Sequence, residues 1–242
     1  MDLAVLYEDA DLVAVLKPAG VLTHRPSIGS VDTPHTGQKT ETAEDWFKER
    51  YPAGAGYVHR LDRDTSGVLV FAKNETAYEF LRKAFRDRAV RKTYLAITHG
   101  APKEKKGIID FDIGRSRKDF RLRSAQPKAK GRLREALTRY EVLGEADGCA
   151  LLMVSPETGR THQIRVHLKA IHHPVVGDVL YAPKHSPALG TTRLALHAYE
   201  LELPLPKGGS AHIVAPIPPD LAPAFKRFPH AAQKFALFEN AC

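Results

Sequence analysis

Residues 59–67 read His-Arg-Leu-Asp-Arg-Asp-Thr-Ser-Gly. Two arginines, two aspartates, a histidine, a threonine and a serine stand in nine positions. Such a run is costly near a core unless its groups pair with one another or with a ligand. The apolar block Val68-Leu69-Val70-Phe71 follows at once. A short apolar block bounded by turn residues predicts a buried strand. The polar run is then a loop held at a strand end, where catalytic groups concentrate. A carboxylate in such a loop can act as a nucleophile or as a base. His59 with Ser66 could pass for a hydrolase pair, but no Gly-x-Ser-x-Gly elbow accompanies them.

Other stretches also carry reactive side chains. Thr158-Gly159-Arg160-Thr161-His162-Gln163-Ile164-Arg165-Val166-His167-Leu168 is one. In it Ile164, Leu168 and Ile171 share one helical face, with Arg165 beside it. Tyr94 sits in Arg91-Lys92-Thr93-Tyr94-Leu95-Ala96, a strand in which Thr93, Leu95 and Ile97 take the opposite face. Residues 115–134 hold nine cations: Arg115, Arg117, Lys118, Arg121, Arg123, Lys128, Lys130, Arg132 and Arg134, opposed only by Asp119. Such a run can track phosphates without reading sequence, or can be a solvated loop between strands. His162, His167, His172 and His173 form no His-Glu-x-x-His or equivalent ligand set, so no metal site is expected. Without a phosphate loop or dinucleotide fingerprint, no cofactor is expected either.

The elements that must position these groups follow from periodicity and caps. Leu3–Glu8 and Leu12–Lys17 read as strands around the turn Asp9-Ala10-Asp11. Residues 19–40, rich in Gly, Pro, Ser, Thr and His, read as a loop. Thr42-Ala43-Glu44-Asp45 is a capping-box pattern opening a short helix with Trp46, Phe47 and Tyr51 on its apolar face. Strand 68–73 ends at Asn74, an N-cap candidate for a helix carrying Ala77, Tyr78, Leu81, Ala84 and Phe85. Strands are expected at 91–98, 107–113, 136–143, 149–154, 193–203 and 211–215. Helices are expected near 161–171 and within 219–238.

Four ordered motifs resemble the RluA type of pseudouridine synthase. Residues 59–67 match its His-Arg-Leu-Asp-x-x-Thr-Ser-Gly signature. Lys17-Pro18-Ala19-Gly20 is similar to its Lys-Pro-x-Gly turn. Lys92-Thr93-Tyr94-Leu95-Ala96 is similar to its Lys-x-Tyr-x-Ala strand. Residues 158–168, followed by His173-Pro174-Val175-Val176-Gly177-Asp178, complete the set. The resemblance spans roughly residues 3–217. It implies an α+β fold with a large mixed, mostly antiparallel sheet flanked by helices and loops. It implies a single catalytic domain over 1–242, without the S4-like N-terminal RNA-binding domain that many relatives carry. It implies isomerisation of uridine in RNA to pseudouridine, with Asp62 as the essential carboxylate. By the same resemblance Arg165 pairs with that aspartate, Tyr94 lies against the uracil, and Arg60 fills the gap left by the displaced base. The implied partner is a stem-loop of ribosomal or transfer RNA. Arg115, Arg117, Lys118, Arg121 and Arg123 are then candidates for RNA contact.

Composition bounds the alternatives. The chain has 242 residues, 36 Lys or Arg and 28 Asp or Glu, a formal charge of +8. That balance favours a polyanionic partner. Its two cysteines, Cys149 and Cys242, give no disulfide framework. No signal-peptide pattern appears, and no apolar run approaches the roughly 20 residues of a membrane span. A cytoplasmic monomer is the expectation. A non-catalytic RNA-binding or RNA-folding protein on the same scaffold is the second reading. A nucleic-acid hydrolase is the third, and it lacks a carboxylate-rich metal cluster.

Overall fold

The computed structural model describes residues 1–25, 41–119, 122–125, 129–229 and 231. In chain order its elements are β1 (Val5–Glu8), β2 (Leu12–Lys17), α1 (Ala43–Arg50), β3 (Gly56–Tyr57), β4 (Ser66–Ala72), α2 (Glu75–Arg86) and β5 (Arg91–His99). There follow β6 (Lys106–Asp110), β7 (Ile113–Ser116), β8 (Arg123–Ala125), β9 (Ala129–Arg134), β10 (Leu137–Ala146) and β11 (Cys149–Pro156). The last are α3 (Gln163–Ala170), β12 (Leu196–Pro204), β13 (Ser210–Val214) and α4 (Ala222–Phe225). Backbone packing divides the chain into two compact units. The first takes Met1–Lys92 and Ala198–Ala215, the second Thr93–His197 and Pro216–Cys242.

In the first unit the strand order is β1-β2-β4-β12, with β13 on β12 and β3 on β4. The pairs β1–β2, β2–β4, β3–β4 and β12–β13 are antiparallel. Every residue of β4 is buried, because helices cover both of its faces. Val68 and Val70 join Ala77, Leu81 and Ala84 of α2 in one core. Phe71 points the other way and stacks on Phe47 of α1, with ring centroids 4.6 Å apart. Both helices start where their caps dictate. Thr42 and Asp45 close the reciprocal capping box, and the Asn74 side chain accepts from the Ala77 N–H.

The loop at the head of β4 is pinned from below. Lys17, at the end of β2, is fully buried. Its ammonium donates to the carbonyls of Pro18 (2.8 Å), Val21 (2.7 Å) and Arg63 (3.0 Å). One cation thus ties the turn after β2 to the loop before β4. The Gly20 N–H adds a bond to the same Arg63 carbonyl, at 2.9 Å. Thr23 Oγ1 donates to the Leu61 carbonyl and accepts the Leu61 N–H. Gly67 is required at the junction. Its φ is +125°, and a Cβ there would lie 2.1 Å from the Ala198 carbonyl oxygen. Ser66 and Gly67, expected as loop residues, open β4 instead, because Gly67 pairs with Lys17 in the β2–β4 register.

In the second unit the strands run β5-β11-β10-β6, antiparallel throughout. A separate sheet, β8-β7-β9, occupies the segment that reads as a possible loop. Its inner residues Ile113 and Ala125 pack with Ala136, Val166 of α3 and Tyr181. The expected amphipathic α3 is buried nearly all round, from Gln163 through Leu168. Its polar side chains are absorbed by hydrogen bonds. Gln163 Nε2 donates to the Leu137 carbonyl and Thr138 Oγ1, both at 3.0 Å. The Gln163 Oε1 accepts from Thr158 Oγ1 at 2.7 Å and from the Arg160 N–H at 3.0 Å. Of the tail expected to hold a terminal helix, α4 is described, and residues 230 and 232–238 lie outside the described residues. Arg121, Lys128 and Cys242 lie outside the described residues.

Replacing Lys17 with Met removes the cation and its three hydrogen bonds to carbonyls. The expected loss is about 3 kcal/mol of unfolding free energy. It is checked by urea denaturation, as a lowered midpoint at an unchanged slope.

Candidate active site

The candidate site residues divide between the units. Arg60 and Asp62 belong to the first, Tyr94 and Arg165 to the second.

In the first unit Asp62 is half-buried at the corner of a turn. Its carbonyl accepts the Thr65 N–H at 3.2 Å, and aspartate is favoured at the first position of such a turn. Leu61 before it and Thr65 and Ser66 after it are buried. At the tip Arg63 and Asp64 pair with each other, 3.0 Å apart, and are partly solvated. The turn therefore spends Asp64 locally. The Asp62 backbone is fixed by this turn. Arg60 is exposed and makes no hydrogen bond or ion pair with the described residues.

His59 shapes the loop. Its Nε2 accepts the Val70 N–H at 3.1 Å, so the neutral ring carries its proton on Nδ1. The ring stacks on Phe85 of α2 at 4.8 Å. Burial, helped by the nearby Lys92 charge, pushes the imidazole down to about 3. Burial, with Arg88 adding to it, likewise lowers Lys92 to about 8.

In the second unit Tyr94 lies on β5 opposite Val154 of β11, half-buried among the buried Thr93, Leu95 and Ala96. Arg165, 4% exposed, forms a two-pronged pair with Asp178. Nε reaches Oδ2 and Nη2 reaches Oδ1, each at 2.8 Å. Asp178 Oδ1 also accepts the N–H groups of Leu180 (3.1 Å) and Tyr181 (3.0 Å). Planar guanidinium and carboxylate groups match in this fork. It orients the side chain and leaves the Nη1 edge outside the fork. Tyr181 covers the pair, its ring centroid 5.0 Å from Arg165 Cζ, and its hydroxyl meets His162 Nδ1 at 2.7 Å.

The segment carrying Asp178 is itself held. The His99 N–H donates to the Pro174 carbonyl, and the Val176 N–H to that of Ile97, which docks 174–176 on β5. Gly177 then turns with φ +74°, where a Cβ would lie 2.0 Å from the Arg193 carbonyl oxygen. Sequence reasoning noted 173–178 but gave Asp178 no role, and it passed over Tyr181. The only signal was a carboxylate in a quoted motif, and a pairing thirteen residues away depends on the turn. The buried His167 is likewise a structural group. Its Nε2 faces the Phe111 carbonyl and its Nδ1 faces Thr138 Oγ1, both at 2.9 Å. A carbonyl only accepts, so Nε2 carries the proton and Nδ1 accepts from Thr138.

The cations of 115–134 take a defined arrangement. Strand register sets Arg115 of β7 opposite Arg123 of β8 and opposite Lys130 of β9. Like charges placed directly opposite in a sheet repel. None of the three has an acidic partner among the described residues. Arg117 and Lys118 follow β7 and are exposed.

The chain matches the family model described as RNA pseudouridylate synthase over residues 11–170. It is 41% identical to an uncharacterised RNA pseudouridine synthase of Mycobacterium bovis, over 93% of this chain and 72% of that one. It is 35% identical to ribosomal large subunit pseudouridine synthase D of Borreliella burgdorferi, over 89% of this chain and 65% of that one. It is also 35% identical to tRNA pseudouridine synthase C of Haemophilus ducreyi, over 86% and 87%. Among solved structures it is similar to human RNA pseudouridylate synthase domain containing 1, at 29% identity and a TM-score of 0.71, covering 90% of this chain and 84% of that one. The fold implied by the four motifs is the fold of that structure.

Two outcomes test these local geometries. Replacing Asp178 with Asn strands a buried guanidinium and lowers stability by about 3 kcal/mol or more, read by chemical denaturation. For His59, the folded ring stays neutral down to about pH 3, whereas an unfolded histidine protonates near about pH 6.5. Stability is therefore lost as pH falls from about 6.5 toward 3, by up to about 1.4 kcal/mol per pH unit from this group. An imidazole NMR signal of His59 that titrates near neutrality would contradict the assignment.

Proposed function

Because the chain belongs to the RNA pseudouridylate synthase family, and so is an isomerase that converts uridine in RNA to pseudouridine, we propose that Asp62 carries the reaction. The uracil must leave the ribose at nitrogen, turn, and rejoin through carbon. No redox change and no external group is needed. Attack by a carboxylate on the anomeric carbon and proton removal from the sugar both require an ionised Asp62. The observation that carries this reading is the locked turn. Lys17 and Thr23 fix the backbone on either side of Asp62, while Asp64 is engaged by Arg63.

Three other side chains have roles in the proposal. Arg165, oriented by Asp178, supplies the positive charge that keeps the catalytic carboxylate ionised. Tyr94 presents an aromatic face for the uracil and a hydroxyl for proton transfer at the ring carbon. Arg60 takes the place of the swung-out base, stacking or bonding phosphate with its guanidinium plane. Its exposure, and the lack of a bonded partner among the described residues, are consistent with that task.

The row Arg123-Arg115-Lys130 supports RNA contact at the small sheet. A polyanion relieves the repulsion that the register builds in. Arg117 and Lys118 extend it, and Arg121 is included from the sequence alone. The substrate is proposed to be a uridine in a stem-loop of ribosomal or transfer RNA. The names of the two relatives that are 35% identical point to those two classes. The 242 residues are proposed to act as one catalytic domain, as a monomer in the cytoplasm. Among the described residues no helix is long and apolar enough to cross a membrane.

Asp62→Asn is expected to abolish pseudouridine formation while leaving the unfolding midpoint and RNA affinity nearly unchanged. The readout is pseudouridine mapping at nucleotide resolution on ribosomal and transfer RNA from cells that lack the protein. A site restored by wild type but not by the variant fits the role, and restoration by both removes it. Changing Arg115, Arg123 and Lys130 together to Gln is expected to lower the slope of log affinity against log salt by about 2–3. An unchanged slope makes the row a bystander.

A further inference from the structure

A second group of side chains borders the catalytic loop in the first unit. Tyr57 ends β3, two residues before His59. The His24 ring stacks on it, with centroids 4.9 Å apart and planes at 30°. From α2, Arg82 places its guanidinium 5.4 Å from the Tyr78 ring centroid and donates from Nη1 to the Tyr78 hydroxyl at 2.9 Å. Tyr78 packs against the same apolar cluster as Val58, the residue after Tyr57, which brings the two pairs to one part of the unit. Burial first, and then the Glu44 charge, hold the Tyr57 hydroxyl above its ordinary range. Glu44 is neutralised by Lys48 at 2.7 Å.

His24, Tyr57 and Tyr78 are half-buried, and Arg60 and Arg82 are exposed. Of these only Tyr78 also packs against the apolar core. Aromatic faces interleaved with arginines at a surface are what unpaired nucleotides bind. Bases stack on rings and on guanidinium planes, and the cations draw the phosphates. A duplex offers no unstacked base to such a surface. A uridine is displaced at least cost where it is already unpaired, and Arg60 stands in the same loop as Asp62.

We propose that His24, Tyr57 and Tyr78, with Arg60 and Arg82, form a stacking platform for one or two unpaired nucleotides flanking the target uridine. This inference rests on the reading of the chain as an RNA-modifying enzyme. The platform reads no sequence. It selects RNA that is single-stranded beside the target.

The test uses the full chain and two labelled probes, an oligouridylate of about a dozen nucleotides and a blunt-ended two-strand RNA duplex of similar length. The double variant His24→Ala/Arg82→Gln is expected to bind oligouridylate about tenfold more weakly, since stacking of one base is worth about 1–3 kcal/mol. Its affinity for the duplex should fall far less. His24→Phe, which keeps a stacking face, should bind oligouridylate as wild type does. Tyr78→Leu, on the surface of α2, provides a second variant with the same expected preference if the double variant unfolds. Equal loss on both probes, or no loss on either, overturns the platform while leaving the enzyme reading intact. Wild type that binds neither probe overturns the RNA reading and the platform with it.

Discussion

A buried ammonium, that of Lys17, holds the loop that carries Asp62. It satisfies three carbonyls, two in its own turn and one in the loop before β4. Burying a cation is expensive unless its donors are all used, so the geometry around Lys17 tolerates little drift. The β2–β4 register sets Lys17 beside Gly67, and Gly67 must be glycine because the Ala198 backbone fills the space of a side chain. Asp62 inherits its position from these neighbours.

The second unit solves the opposite problem. Arg165 is buried with its charge, and its fork is matched by a carboxylate that also accepts two backbone N–H groups. Removing either partner strands a charge in a dry environment, where the penalty is several-fold larger than at the surface. The polar network around Gln163, Thr138 and His167 fixes the helix that carries Arg165. This helix spends little of its surface on solvent, so its apolar stripe describes only part of what it buries.

Electrostatics at the surface have a different purpose. The row of Arg123, Arg115 and Lys130 is unfavourable for the folded protein alone. Folding accepts it because the inner side of the same sheet packs Ile113 and Ala125 against α3. Apolar burial holds the strands together despite the repulsion.

Much of this was legible from the amino-acid sequence. Local signals fixed α1 and α2, because a capping box and an N-cap act within three residues of the backbone they bind. Periodicity found β2, β4, β5 and β11, because a buried strand must be apolar wherever it sits. The motifs brought out Asp62, Tyr94 and Arg165, and the family they resemble is the family to which the chain belongs. What the tertiary structure alone decided are relations between distant residues: Lys17 with Arg63, Thr23 with Leu61, Arg165 with Asp178, and the three cations brought into register. Polar contacts of this kind leave no periodic trace, since each depends on where a turn sends the chain and not on which residues stand beside it in sequence.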